Sequence, residues 1–102
     1  MFVDLHMHTY FSDGTQSPEE VVTAAKANGL SVISVCDHNT VAAYDRLIPA
    51  CAEAGVGLVQ GAEIDVYWKG GERLHLLAYN FDPANREMDE VISLVEIERL
   101  KF

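Results

Sequence analysis

Short runs of apolar, β-branched residues alternate with segments of helical pattern along this sequence of 102 residues. The runs over residues 2–7, 30–36 and 57–61 predict three strands, and helix start and stop signals lie between them. Strands that alternate with helices form parallel sheets with right-handed crossovers. In such folds ligands bind beyond the carboxyl ends of the strands, so the residues found there are the first candidates for a functional site.

The first predicted helix has clear signals at both ends. Ser17, in the sequence SPEE, is a typical N-cap residue, and Pro18 suits the first helical position. Glu20 lies three residues after the cap, as in a capping box. Gly29 follows the sequence VVTAAKAN and is expected to end the helix.

The remaining elements are predicted from weaker patterns. A second helix is expected from about Val41 to Ala54, and Pro49 inside it should kink or interrupt it. Residues 64–68 and 74–79 flank the sequence KGGE, which predicts a β-hairpin. The last stretch, residues 84–102, has helical spacing. The expected class is therefore α/β, with mainly parallel strands and a hairpin near residues 64–79.

Composition limits the possible partners. With 49% hydrophobic residues there is material for one core, and 16 acidic against 7 basic residues give a net charge of -9. This balance argues against an extended nucleic-acid surface, which needs a basic stripe. A small anionic substrate would need positive charge in the site, which a metal could supply. No signal peptide or apolar run of transmembrane length is visible, and the two cysteines fit no disulfide framework, so a cytoplasmic location is expected.

All four histidines of the sequence fall near predicted strand ends. The sequence DLHMHT places His6 and His8 two residues apart, so they lie on one face of the first strand. The other candidate residues follow later strands or lie in the first loop and the hairpin: Asp13, Asp37, His38, Glu63 and His75.

Imidazole and carboxylate groups that share one rim point to divalent metals such as Mn, Zn or Fe. Two or three such ions held about 3.5–4 Å apart can polarise a phosphoryl group and activate a bound water. Alternative interpretations remain for single residues. Asp13 is also a natural turn residue, and His75 could be a core histidine in an apolar run. Asp37 is more consistent with orienting a neighbour or capping the next helix than with binding metal.

Four motifs in order, DLHMHT with SDG, CDHNT, GAEI and HLLAY, resemble the motif series of the PHP (polymerase and histidinol phosphatase) family. The resemblance extends from Asp4 to about Asp82. It implies that residues 1–102 form the N-terminal part of one PHP domain, the first half of a distorted (β/α)7 barrel. It also implies a metal-dependent phosphoesterase with a site of two or three metals.

The resemblance implies a role for each candidate ligand. Asp37 is the candidate for a residue that supports the ligands without binding metal itself. The implied metal ligands are His6 and His8 for a first ion, Glu63 as a bridge between the first and second, His75 for the second, and Asp13 and His38 for a third.

Within the family the sequence is similar to the branch that acts on nucleoside 3′,5′-bisphosphates or trims short oligonucleotides from the 5′ end. A histidinol phosphate phosphatase, or a non-catalytic PHP-derived structural module, are the alternatives. Family members are usually at least twice as long, and their later motifs supply further ligands. A C-terminal half or a second copy of the chain is therefore expected to complete the barrel, with a small phosphorylated substrate as the partner and no membrane.

Overall fold

Parallel strands connected by helices form the first part of the chain in a computed structural model that describes residues 2–67, 72–80, 90 and 92. The elements are β1 (Phe2–Met7), α1 (Pro18–Ala27), β2 (Leu30–Val35), α2 (Tyr44–Ala54), β3 (Gly57–Leu58), β4 (Gly61–Tyr67) and β5 (Arg73–Tyr79). The first three strands form a parallel sheet in the order β1-β2-β3. Strands β4 and β5 form an antiparallel hairpin, and the predicted α/β class with its hairpin is confirmed.

Helix α1 begins and ends where its local signals predict. The Ser17 side chain accepts a hydrogen bond from the Glu20 backbone N–H at 3.1 Å, and the Glu20 carboxylate accepts one from the Ser17 N–H at 3.1 Å. These reciprocal bonds satisfy two donors that a helix end otherwise leaves unpaired. Gly29 follows the helix with a φ of 76°, a left-handed conformation that costs glycine little.

Helix α2 differs from the prediction at two points. It begins at Tyr44 rather than near Val41, and it continues through Pro49 to Ala54 without a break. Proline removes the hydrogen bond to the carbonyl four residues earlier, which here belongs to Asp45 in the first turn. Because Asp45 and Pro49 are both exposed, water can satisfy that carbonyl and the helix tolerates the proline.

The predicted third strand is wrong as a single element, because β3 ends at Leu58 and a separate strand begins at Gly61. The backbone N–H of Gly61 donates to the Tyr44 hydroxyl at 2.6 Å, and a side chain at Gly61 would collide with Ser34 and Cys36. The chain thus crosses closely over the end of β2 before β4 starts. One consequence is that Glu63 lies inside β4 rather than after a strand.

The core lies between the two helices and the parallel sheet. Its fully buried side chains come from α1, β2, α2 and the segment after α2, and they include Val21, Val22, Ala25, Ile33, Val35, Leu47, Cys51 and Val56. The Tyr44 hydroxyl lies within this core and donates to the Val35 carbonyl at 2.6 Å. Burial raises the pKa of Tyr44 to about 12, because the charged phenolate would lose its hydration.

Apolar side chains of β1 and β5 remain exposed. Phe2 is 70% exposed and Leu76 is 58% exposed, and β1 is an edge strand of the described sheet. Except for Glu72, which precedes β5, the predicted turn KGGE lies outside the described residues. The helix predicted over 84–102 also lies outside them, except for residues 90 and 92, which are helical. Within the described ranges, every helix is too short or too polar to cross a membrane.

Candidate metal centre

The hairpin brings two acidic residues and a histidine onto one face. Side chains alternate along a strand, so Glu63 and Asp65 point to the same side of β4. The antiparallel register places Asp65 directly opposite His75 of β5, which puts His75 on that face as well. This face meets the carboxyl ends of β1 and β2, where His6, His8 and His38 lie.

Glu63 is the centre of this arrangement, since all four histidines of the sequence lie around its carboxylate. One oxygen, Oε1, is 2.6 Å from His6 Nε2 and 3.7 Å from His8 Nε2. The other, Oε2, is 3.1 Å from His38 Nδ1 and is also hydrogen-bonded to His75 Nδ1. Glu63 is only 4% exposed, so these imidazoles replace the water that would otherwise solvate it.

The charge state of Glu63 follows from these contacts. Burial raises the pKa of the Glu63 carboxyl, but hydrogen bonds to His75 and His6 and the charges of His38 and His75 oppose it. The net pKa lies below the ordinary value of 4.5. At neutral pH the carboxylate is therefore ionised and suited to binding a cation.

A second group of ligand atoms forms where the first loop meets the loop after β2. The Asp13 carboxylate is 3.4 Å from His8 Nδ1 through one oxygen and 3.1 Å from His38 Nε2 through the other. The rings of His8 and His38 stack with centroids 4.8 Å apart and planes at 13°. The two histidines therefore connect Asp13 with the Glu63 group.

Asp37 holds the loop that carries these ligands. Its Oδ1 accepts hydrogen bonds from the Thr9 backbone N–H at 2.7 Å and from the Ser12 hydroxyl at 2.8 Å. Its Oδ2 accepts one from the Thr9 hydroxyl at 2.6 Å. Both Asp37 and Thr9 are buried, and the bonded segment lies between His8 and Asp13. Asp37 thus orients its neighbours and does not cap α2, which begins after Ala43 without a side-chain cap bond. A supporting role beside a metal stays a prediction.

Asn39 joins the loop after β2 to strand β4. Its backbone N–H donates to the Glu63 carbonyl at 2.9 Å, and its side-chain oxygen accepts from the Asp65 N–H at 2.9 Å. The Glu63 N–H in turn donates to the Asp37 carbonyl at 3.1 Å. Asn39 has a φ of 52°, a left-handed conformation that asparagine tolerates better than most residues. These bonds hold His38 against Glu63 and Asp65.

Three buried polar atoms in this region have no hydrogen-bond partner among the described residues: His8 Nδ1, His38 Nδ1 and Asp65 Oδ1. Buried polar groups without partners are costly, and such atoms are rare unless they bind something. The ligand atoms also form three groups in which all atoms lie within 4.8 Å of one another: His6, His8 and Glu63; His8, Asp13 and His38; and His38, Glu63, Asp65 and His75. Mixed nitrogen and oxygen donors of this kind suit Zn, Mn or Fe, so the residues fit divalent metals.

The structure brings together all six residues predicted as ligands, although their role as ligands stays a prediction. Two residues near them were missed. Asp65 has the same two-residue spacing from Glu63 as His8 has from His6, and that spacing was the available signal. Arg73 lines a cavity of about 360 Å³ together with Ser12, Asp13, His38 and Asp65, and no local pattern marked it.

Comparison with known proteins places this sequence among those of one family. A family model described as PHP domain matches residues 4–102. A 5′-3′ exoribonuclease of Haemophilus influenzae is 39% identical over 89 residues, which cover 87% of this chain and 32% of the relative. A 3′,5′-nucleoside bisphosphate phosphatase of Chromobacterium violaceum is 28% identical over 99 residues, covering 97% of this chain and 34% of the relative.

Solved structures with a similar fold are also known. A protein from Bifidobacterium adolescentis, assigned as a metal-dependent phosphoesterase, superposes with a TM-score of 0.84 at 34% identity. The match covers 99% of this chain and 35% of that structure. The chain thus spans about a third of the length of the relatives it matches.

Proposed function

This chain belongs to the PHP domain family, and from that premise we propose that it carries the metal centre of a phosphoesterase acting on a small nucleotide-like substrate. The observation that supports this most strongly is the position of Glu63. A buried, ionised carboxylate lies within reach of every histidine in the sequence. A packed core or a solvated surface has no need for that arrangement.

The proposed ligands divide into three groups around shared residues. In full they are His6, His8 and Glu63 for one ion, Glu63 and His75 for a second, and Asp13 and His38 for a third. When bound, divalent ions such as Mn, Zn or Fe lower the pKa of a coordinated water and polarise phosphoryl oxygens. The chain's own contribution is to fix the ligand directions, since Asp37 holds the first loop and Asn39 holds the second.

A small substrate suits the cavity beside this centre. Its volume of about 360 Å³ lies in the range of small-molecule sites, and Asp13 and His38 form part of its wall. Arg73 also lines it and offers a planar cation that can bind two phosphate oxygens at once. The net charge of -9 disfavours contact with a long nucleic-acid backbone.

We propose a nucleoside 3′,5′-bisphosphate, or the 5′ end of a short oligonucleotide, as the substrate. Support comes from the relatives, one a 3′,5′-nucleoside bisphosphate phosphatase and another a 5′-3′ exoribonuclease. Because the chain spans about a third of their length, the proposed activity belongs to the assembled protein. A C-terminal segment or a second copy would then cover the exposed side chains of β1 and β5 and complete the barrel.

The test is metal analysis and phosphate release on the full-length gene product purified without chelators. We expect bound Mn, Zn or Fe, and faster phosphate release from a nucleoside 3′,5′-bisphosphate than from histidinol phosphate. Glu63→Gln should lose metal and reduce phosphate release by at least about 10–100-fold, because a neutral amide would hold divalent cations more weakly than a carboxylate. Glu53→Gln, an exposed change of the same kind on α2, is the matched control.

Two results would contradict the proposal. One is a protein that binds no divalent metal and releases no phosphate after metal is added. The other is full metal content and activity in Glu63→Gln. A preference for histidinol phosphate would leave the proposed metal-dependent hydrolysis intact but contradict the proposed nucleotide substrate.

A further inference from the structure

We propose that Asp65 is a positioning residue of this centre: its carboxylate accepts a hydrogen bond from His38 Nδ1–H and thereby directs His38 Nε2 towards the metal position shared with Asp13. The inference rests on the proposed function. It adds a residue that lies just beyond the motif GAEI and that the motif series does not include.

Asp65 is a buried acid beside two histidines. The residue is 7% exposed, and its Oδ1 has no hydrogen-bond partner within the described ranges. A buried carboxylate oxygen without a donor is costly, so a donor is expected in the functional state. The ring nitrogens that face Oδ1 are His38 Nδ1 at 3.4 Å and His75 Nδ1 at 3.2 Å.

His38 is the ring that needs this acceptor. Its Nε2 is 3.1 Å from Asp13 Oδ2, so this nitrogen faces the third proposed metal position. A neutral histidine that binds a metal through one nitrogen carries its proton on the other, and that N–H usually donates to a carboxylate or carbonyl. The other nitrogen here is Nδ1, which is buried and unpaired among the described residues.

The competing acceptor is Glu63 Oε2, which is 3.1 Å from His38 Nδ1 but does not form a hydrogen bond with it. Both Glu63 oxygens already contact other histidines, since Oε1 bonds His6 and Oε2 bonds His75. In the proposed function the same oxygens would hold cations. Among the described residues, the other carboxylate oxygen near His38 Nδ1 is Asp65 Oδ1, at 3.4 Å.

The backbone keeps donor and acceptor together. Asp65 N–H donates to the side chain of Asn39, the residue next to His38, at 2.9 Å. The two segments are thus connected beside the proposed hydrogen bond. Because its backbone is fixed, the Asp65 side chain can hold the His38 ring in one orientation.

The experiment uses the full-length gene product, ¹⁵N-labelled and loaded with Zn²⁺, which is diamagnetic. Long-range ¹H–¹⁵N correlation spectra of the histidine rings report which nitrogen carries the proton and which binds metal. We expect His38 to carry its proton on Nδ1 and to bind through Nε2. Competition with a chromogenic chelator gives the Kd of each bound Zn²⁺, a readout independent of turnover.

Removing the carboxylate should affect one metal position. Asp65→Ala is expected to raise the Kd of one bound Zn²⁺ by about 10–100-fold and to lose the ordered His38 Nδ1–H signal. Asp65→Asn keeps an acceptor oxygen and should recover most of the affinity. Glu53→Ala removes an exposed carboxylate from α2 and should leave both measurements unchanged.

The outcomes separate this inference from the function on which it rests. A wild-type protein that binds Zn²⁺ and releases phosphate, but whose His38 binds through Nδ1, overturns the inference alone. So does a Kd in Asp65→Ala within twofold of wild type. A wild-type protein that binds no Zn²⁺ overturns both. The spectrum of the wild-type protein shows which His38 nitrogen binds Zn²⁺, so it tests the inference even where a variant fails to fold.

Discussion

Replacing Asp37 with alanine should destabilise the protein strongly, because Asp37, in the loop after β2, holds the first loop through three hydrogen bonds. The substitution removes the acceptor of three hydrogen bonds, from Thr9 N at 2.7 Å, Thr9 Oγ1 at 2.6 Å and Ser12 Oγ at 2.8 Å. Thr9 and Asp37 are almost completely buried, so water cannot easily replace the lost acceptor at Thr9.

The magnitude follows from these bonds. A hydrogen bond to a charged group contributes about 1.5–3 kcal/mol, and a buried donor left unpaired costs about 1–3 kcal/mol. The three bonds share one carboxylate and Ser12 is partly accessible, so they are not additive. We therefore expect Asp37→Ala to lower the free energy of unfolding by about 3–5 kcal/mol, a large part of the roughly 5–15 kcal/mol of a typical domain.

Urea unfolding followed by circular dichroism measures this effect, with chelator present so that metal binding does not add to the stability of the folded state. Two matched variants separate the contributions of the hydrogen bonds to Asp37. Thr9→Val keeps the backbone bond to Asp37 but removes the hydroxyl bond to Asp37 and the weaker bond that the hydroxyl accepts from the Phe11 N–H at 3.2 Å, and it should cost about 1–2 kcal/mol. Asp37→Asn keeps one acceptor oxygen and should fall between the other two. The reasoning is refuted if Asp37→Ala unfolds within 1 kcal/mol of wild type, or if Thr9→Val costs as much as Asp37→Ala.

Two further predictions concern the core beneath the site. The raised pKa of Tyr44, about 12 against an ordinary 10.0, means that its contribution to stability is complete below pH 10 and is lost as the pH rises towards 12. Urea unfolding at pH 9 and pH 11.5 should therefore show a larger loss for wild type than for Tyr44→Phe, by on the order of 2 kcal/mol; equal losses would contradict it. Gly61→Ala places a Cβ 2.7 Å from Cys36 Sγ and still closer to Ser34 Oγ, so it should destabilise by about 1–3 kcal/mol. The double variant with Ser34→Ala should recover part of that loss, and a Gly61→Ala protein with an unchanged urea midpoint would show that the contact is not tight.

Much of the local structure could be predicted because its causes lie within a few residues of one another. The capping box of α1 depends on Ser17 and Glu20, three positions apart, and both its bonds are present. Alternation predicted that His6 and His8 share a face, and the glycines after both helices mark their ends. The family resemblance, read from four short motifs, is confirmed by the PHP domain match.

Other features depend on contacts between distant segments, and no local pattern reports them. The start of β4 at Gly61 depends on Tyr44, Ser34 and Cys36, which supply its hydrogen-bond partner and exclude a side chain. Asp37 bonds Thr9, 28 residues earlier, and so determines the position of a loop it does not belong to.

The candidate site combines both kinds of cause. The sequence by itself determined which residues are candidates for a metal site, since residue types and strand spacing indicated the histidines and Glu63. Only the tertiary structure decided that Glu63 lies at their centre and that Asp65 faces His38, because hydrogen bonds through Asn39 and the register of the β4–β5 hairpin set those positions. Distances between side chains 25 or more positions apart follow from how the strands and loops pack, and the spacing along the chain does not contain that information.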